Sequence, residues 1–368
     1  MQISVANHER RTIYVSPDKP SYVCWVRLWK MPDGGIMTGF TQATGPIEGR
    51  PSAPTEVRRR LNWPPPDRPK YDMTGLHMEN VYLRSTDGGK TWTEVATDPF
   101  TSCMNAAVRP GGEVALADGT VLRVVWGQYL PYSDVPQTGY IQRSTDGTKS
   151  WGPPELLTDD SRLQVWPGRV RTLSDGRVAV MGAAIPYDPD NWSRGEEHMK
   201  KMRICMWVSE DTQGRRWSEP LYTVPNADRF DRLTEEWDIA ELENGDLFCL
   251  YRVHQPGLGR VQNVLVKDGN TWKPTPAETA PFKQTGFPEV LMTREGGVLY
   301  IATDGLWATT DRGKRWSRLT KEGTGYYPKA IQLDDDTILA AGHHGGGDSP
   351  YGTRLSIIMD IWKIQTEE

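Results

Sequence analysis

The chain has 368 residues, with 43 lysines and arginines against 48 aspartates and glutamates, for a net charge of -5. That balance argues against nucleic acid as the main partner, because phosphate is bound through a basic field. No apolar run approaches the ~20 residues that span a bilayer, and the opening MQISVANHER lacks the basic start and apolar stretch of a signal peptide. Neither a membrane span nor a leader is expected, and the cellular compartment stays open.

The 36 glycines, 28 prolines and 15 tryptophans point to repeated hairpins. Cys24, Cys103, Cys205 and Cys249 match no metal or redox spacing and sit among apolar residues, so they are expected to be reduced, buried and inert. No metal site and no cofactor is expected.

In chain order, RTIYVS (11–16) is a strand expected to share a blade with the C-terminal RLSIIMDIWKI (354–364) and so close a ring. A first kind of unit, two short apolar runs about an acidic or glycine turn, begins at MPDGGIMTGF (31–40) and returns at LADGTVLRVV (116–125) and LSDGRVAVMG (173–182). It recurs at LENGDLFCLY (242–251), TREGGVLYIA (293–302) and LDDDTILAAG (333–342). Each reads as strand, tight turn, strand. A second unit, STDGGKTW (85–92), follows most of them, as STDGTKSW (144–151), SEDTQGRRW (209–217), the decayed KDGNTW (267–272) and TTDRGKRW (309–316). In it Gly supplies φ > 0, the aspartate accepts from turn amides, and the closing Trp packs beneath. Six units of four short strands predict an all-β, six-bladed β-propeller, a single domain over 1–368. The Pro- and Arg-rich stretch 48–72 cannot be a core strand and belongs to a long loop over one face, at about 42–80.

The second unit resembles the Asp box of the sialidase (neuraminidase) superfamily, whose fold is a six-bladed propeller. The fourth blade, EEWDIAELENGDLFCLYR (235–252), resembles that superfamily's pattern. The resemblance places Glu236 on the catalytic glutamate and Arg252 on one of three substrate-binding arginines. The sixth, GYYPKAIQLDDDTI (325–338), places Tyr327 on the nucleophilic tyrosine, with Tyr326 beside it. Where a sialidase has a carboxylate-gripping arginine in its first blade, this chain has Cys24 or Trp25. Arg27 lies two or three residues further on. The supporting glutamate of the sixth blade is matched by His343, and the fifth blade shows no third arginine. Replacement grips are expected from Arg27, Arg169 or Arg171, or from the loop residues Arg58, Arg59 and Arg60. For the acid/base the resemblance points to the loop before the first box, where Asp72 is chosen over Asp67, His77 and Glu79.

Each candidate has a plainer reading. Asp238, on the face of Glu236 by period two, is a second carboxylate or an arginine's partner. Asp72 can cap a turn. Trp25, Trp63, Trp166 and Trp237 either stack on sugar or fill the space between blades. GHHGGGD (342–348) is a loop edging the pocket.

The function implied is an exo-acting glycoside hydrolase of sialidase type, releasing a terminal acidic sugar from a glycan. The alternatives are two. One is a glycosidase or lyase on an arabinose- or uronate-type sugar, with Glu236 paired to Asp238 or Glu289. The other is a non-catalytic carbohydrate-binding propeller. The oligomeric state is not legible.

Overall fold

The structure is a computed structural model, and it describes residues 2–17, 21–46, 48–56, 58, 72, 74–99, 108–125, 139–187, 200–284, 286–344 and 356–367. After β1 (Gln2–Val15), the first blade holds β2 (Ser21–Lys30), β3 (Ile36–Thr44), β4 (His77–Ser85) and β5 (Thr93–Pro99). The second holds β6 (Val108–Ala115), β7 (Val121–Val125), β8 (Tyr140–Ser144) and β9 (Glu155–Leu156). The third holds β10 (Leu163–Thr172), β11 (Val178–Pro186), β12 (Arg203–Val208) and β13 (Leu221–Tyr222). β14 (Leu233–Glu241), β15 (Leu247–Gln255), β16 (Leu258–Asp268) and β17 (Thr271–Pro274) form the fourth, with β18 (Glu278–Thr279) added to β16. β19 (Val290–Met292), β20 (Val298–Ala302), β21 (Gly305–Thr309) and β22 (Ser317–Arg318) form the fifth. In the sixth, β23 (Tyr326–Gln332), β24 (Thr337–His343) and β25 (Ser356–Glu367) are completed from outside by β1. The two ends of the chain thus close one blade, as the sequence suggests.

The six inner strands β2, β6, β10, β14, β19 and β23 each touch the next, and β23 touches β2, so the ring is closed. All six predicted inner hairpins form. Each carries one turn bond of 2.7–2.8 Å between residues four apart, from Met31 N–H to the Gly35 carbonyl through Leu333 N–H to the Thr337 carbonyl. Five of these turns place a glycine at positive φ; the sixth places Asp336 there, at 61°. Helix is scarce among the described residues: a 3₁₀ turn at Ala227–Arg229, and helical residues at Thr55, Glu56 and Arg58.

Tryptophan-closed turns rivet four of the blades to the one before each. In the first blade's turn, Gly89 lies against Leu339 of the sixth blade, where a Cβ would meet its Cδ1 at 2.7 Å. Trp151 of the second blade lies on Tyr82 of the first, ring centroids 6.0 Å apart. In the third, the Gln213 carbonyl accepts from Arg143 of the second blade at 2.6 Å. Trp316 of the fifth donates to Gln262 Oε1 of the fourth at 3.1 Å and packs edge-on to Phe248. These four stapled interfaces explain why one short sentence is written repeatedly. Separate apolar clusters fill the interfaces, for example Phe248, Leu250, Tyr300 and Val298 between blades four and five. Cys24, Cys205 and Cys249 are buried; Cys103 lies outside the described residues. The long loop runs between the end of β3 at Thr44 and the start of β4 at His77, and much of it lies outside the described residues.

Candidate active site

Five inner strands slip register with their neighbours: between Cys24 and Arg27, Val108 and Glu113, Pro167 and Arg169, Leu233 and Trp237, and Tyr326 and Lys329. Such bulges bend a strand and re-aim its side chains. Two of them hold bulky residues in the left-handed region, Trp25 at φ 56° and Tyr327 at φ 51°, where a side chain of that size is strained. Buried arginines brace both places. Arg27 Nη1 donates to the Trp25 carbonyl at 2.9 Å, and Arg169 Nη2 donates to the carbonyl of Pro328 at 3.3 Å.

The bulges of β14 and β23 bring Glu236 and Tyr327 together. The Tyr327 hydroxyl donates to Glu236 Oε1 at 3.0 Å. Arg252, in β15, reaches the same pair: its Nη1 donates to Glu236 Oε2 and approaches the Tyr327 oxygen at 3.3 Å. Burial works against charge on Arg252, but Glu236 and Tyr327 outweigh it and raise its pKa. The guanidinium spends only Nη1. Its Nε–Nη2 edge, the side that fits a carboxylate in a fork, makes no hydrogen bond among the described residues. The phenol oxygen therefore has an acceptor for its proton on one side and a cation on the other.

Aromatic rings hold the phenol in place. Tyr326 stacks on Tyr327 with centroids 4.3 Å apart, while His343 and Phe287 meet Tyr327 edge-on at 6.0 Å each. Tyr22 closes the far side of His343 at 6.4 Å. Gly286, at φ 96°, passes so close that a Cβ there would lie 2.8 Å from the Tyr327 ring and 2.9 Å from the Tyr326 oxygen.

Further along the axis is a second charged constellation, buried except for a partly exposed Arg171. Arg169 Nη1 pairs with Asp238 at 2.8 Å and with Glu289. Arg171 Nε donates to Asp238 Oδ1 at 2.8 Å and its Nη2 contacts Glu289 at 3.2 Å. Lys329 Nζ lies 3.4 Å from Glu289. Burial disfavours the Asp238 charge, but Arg171 and Arg169 outweigh it and hold its pKa well below the usual carboxylate range. In β2, Arg27 Nε pairs with Glu113 at 2.8 Å and Nη2 with Asn80 at 3.2 Å. Arg27 and Arg169 are taken up by buried carboxylates, and Arg171 spends Nε and Nη2 on Asp238 and Glu289. Asp238 takes the second of its two readings, as the partner of Arg169 and Arg171.

Asp72 also takes its plainer role. Its two oxygens accept from the amides of Ala53 at 2.8 Å and Thr74 at 3.0 Å. Burial would raise its pKa, but the Thr74 side chain and those amides outweigh it and lower the value, the reverse of what a general acid needs. Trp237 is fully buried, stacked on Tyr251 at 5.0 Å, and donates to the Gly182 carbonyl, so it fills an interface between blades. Trp25 and Trp166 are buried as well. Trp63, Asp67, Arg59, Arg60 and residues 345–348 lie outside the described residues. No cluster among the described residues could hold a metal ion. Sequence reasoning missed Glu289 as the arginines' anchor and Gly286 as the floor under the tyrosines. The period-two spacing of Arg169 and Arg171 on an inner strand was the available signal for the first.

No protein-family model matches the chain. A sialidase from Bacteroides fragilis (strain YCH46) is 25% identical over 225 residues, 53% of this chain and 37% of that protein. The chain thus spans well under half the length of the curated relative it matches. Among solved structures, a protein of unknown function from Dyadobacter fermentans superposes with a TM-score of 0.64 at 21% identity, over 99% of both chains. An α-L-arabinanase from Penicillium chrysogenum complexed with arabinobiose superposes with a TM-score of 0.63 at 15% identity, over 96% of this chain and 97% of that one. The closed six-blade ring, the sialidase match and these superpositions make the chain similar to the sialidase-like propellers in fold.

Proposed function

We propose that the protein is an exo-acting glycoside hydrolase of sialidase type, which releases a terminal acidic sugar from a glycan. The observation that carries this reading is the 3.0 Å bond from the Tyr327 hydroxyl to Glu236 with Arg252 against both. A sugar with a carboxylate on its anomeric carbon repels an anionic nucleophile, so a neutral phenol is the better attacker. In the proposed reaction the Tyr327 oxygen bonds to the anomeric carbon as its proton passes to Glu236. The bond to the leaving oxygen breaks, and that oxygen takes a proton from an acid outside the trio. Water then attacks the same carbon as the deprotonated acid outside the trio takes its proton, the bond to the Tyr327 oxygen breaks, and Glu236 returns its proton to that oxygen. Arg252 steadies the developing phenolate through Nη1, and its Nε–Nη2 edge meets the substrate carboxylate.

A two-carboxylate scheme on a neutral sugar, with Glu236 partnered by Asp238 or Glu289, fits less well. Both partners are neutralised by Arg169 and Arg171. The test is a screen of aryl glycosides of nonulosonic acids, uronic acids and arabinose, with Tyr327→Phe and Glu236→Gln beside the wild type. Turnover is expected on the acidic ketoside, and each variant is expected to lose about 10²–10⁴ in kcat. Turnover on arabinoside alone, or full activity in Tyr327→Phe, overturns the proposal.

A further inference from the structure

The inner strands begin at the tyrosine end of the axis and finish at the other. There the channel opens into a cavity of about 320 Å³, formed by the later residues of β2, β6, β10, β19 and β23. Its walls include Leu28, Val114, Val170, Leu291 and Ile331. Arg171 and Lys329 line the same cavity, and both have donors left over. Lys329, whose side chain is 5% exposed, makes one long contact, to Glu289 at 3.4 Å, and no other hydrogen bond among the described residues. Two of its three ammonium protons are unspent. Arg171 uses Nε and Nη2 on Asp238, Glu289 and the Val290 carbonyl, while Nη1 makes no bond among the described residues.

Charge counting points the same way. Arg27, Arg169, Arg171 and a protonated Lys329 face Glu113, Asp238 and Glu289. That leaves one surplus positive charge in a buried setting, where an unpaired charge is costly. A ligand that brings one negative charge balances the set, and apolar walls reward an apolar body.

We propose that this cavity is a second binding site, taking a small monoanionic organic acid with a compact apolar body, its carboxylate set against Lys329 and Arg171. The site lies at the opposite end of the axis from Tyr327 and stands independently of the reaction proposed there. Without an anion, burial and the neighbouring Arg171 push Lys329 down to about 7, against the pull of Glu289 and Asp238. The charged groups that face it are Arg169 and Arg171 from β10, Asp238 from β14 and Glu289 ahead of β19. The Glu113 carboxylate of β6, already held by Arg27, shares the cavity, and Lys30 at the rim pairs with Asp334. Binding of the acid therefore draws a proton onto Lys329 near neutral pH.

Calorimetric titration of the full chain with benzoate tests this, with benzyl alcohol as the neutral counterpart. Benzoate is expected to bind at pH 6 and about tenfold more weakly at pH 8, the ratio of protonated Lys329 on either side of a midpoint near 7. Heats in buffers of different ionisation enthalpy are expected to show proton uptake. Lys329→Met should weaken binding and remove its pH dependence. Thr172→Trp, which fills the cavity from an exposed strand position without touching the charged set, should abolish binding while leaving Tm unchanged. No saturable benzoate heat at pH 6, equal binding of benzyl alcohol, or benzoate binding indifferent to both substitutions overturns the proposal.

Discussion

The two ends of the propeller axis are built from the same residue types on the same inner strands, yet they are used differently. Toward the middle and far end, Arg27 and Arg169 are matched against Glu113 and Asp238 with no exposure, and the partly exposed Arg171 gives Nε and Nη2 to Asp238 and Glu289. At the near end, Arg252 spends one nitrogen on Glu236 and Tyr327 and keeps its forked edge. A guanidinium becomes structural when buried acids take its donors, and becomes available for ligand when they do not. The two ends are also coupled. Arg169 lies 4.6 Å over Phe287 and bonds the Pro328 carbonyl, and Phe287 and Pro328 both adjoin Tyr327. The saturated cluster is the footing on which the strained tyrosine stands.

That contrast can be broken by removing one anchor of the saturated end. Asp238→Ala leaves two buried guanidiniums short of a partner, and breaking buried pairs of this kind costs about 3–5 kcal/mol. Denaturant unfolding should show a loss of that size. A loss near zero would mean that the cluster is solvated and the contrast false.

Arg252→Ala sharpens the other side. It is expected to weaken an acidic substrate by about 2–5 kcal/mol, read as kcat/KM, while a neutral aryl glycoside of matched leaving group loses much less. Equal losses on both substrates would make Arg252 a support for Glu236 and nothing more.

A smaller effect is expected from Gly286→Ala. The backbone there is left-handed and the new Cβ runs into both tyrosine rings, so overpacking costs about 1–3 kcal/mol. Because the displaced group is the phenol, kcat should fall further than the stability loss explains. Unchanged kcat would show that the Tyr326–Tyr327 stack does not set the position of the nucleophile.

Much of this architecture was legible in the sequence. The six acidic or glycine turns fall at the six inner hairpins because their spacing is local chemistry. The pairing of β1 with β25 could be read because each end of the chain offered a strand and the ring needed one. Glu236, Arg252 and Tyr327 were legible by resemblance, and the structure does bring them into contact. What the sequence hid was partnership. Nothing local to Arg171 says that Asp238, 67 residues away, will take its donors. Nor does the sequence around Arg27 show that Glu113 will cross from the next blade. Nor could the hydrogen bonds from the Ala53 and Thr74 amides to Asp72 be read from the loop's sequence. Trp237 could be read as sugar platform or as filler between blades, and its ring stacks on Tyr251 and bonds the third blade. Each of these depends on which bulge turns which side chain inward, and a bulge leaves little trace in hydrophobic alternation.

The most direct test of the central claim is to find where the sugar bonds to the protein during turnover. A fluorinated acidic-sugar inactivator that slows release of the intermediate, followed by peptide mass spectrometry, reports the attached residue. The account predicts the label on the Tyr327 oxygen, absent in Tyr327→Phe and accumulating more slowly in Glu236→Gln. A label on Glu236, or label formation unaffected by loss of the Tyr327 hydroxyl, would contradict it.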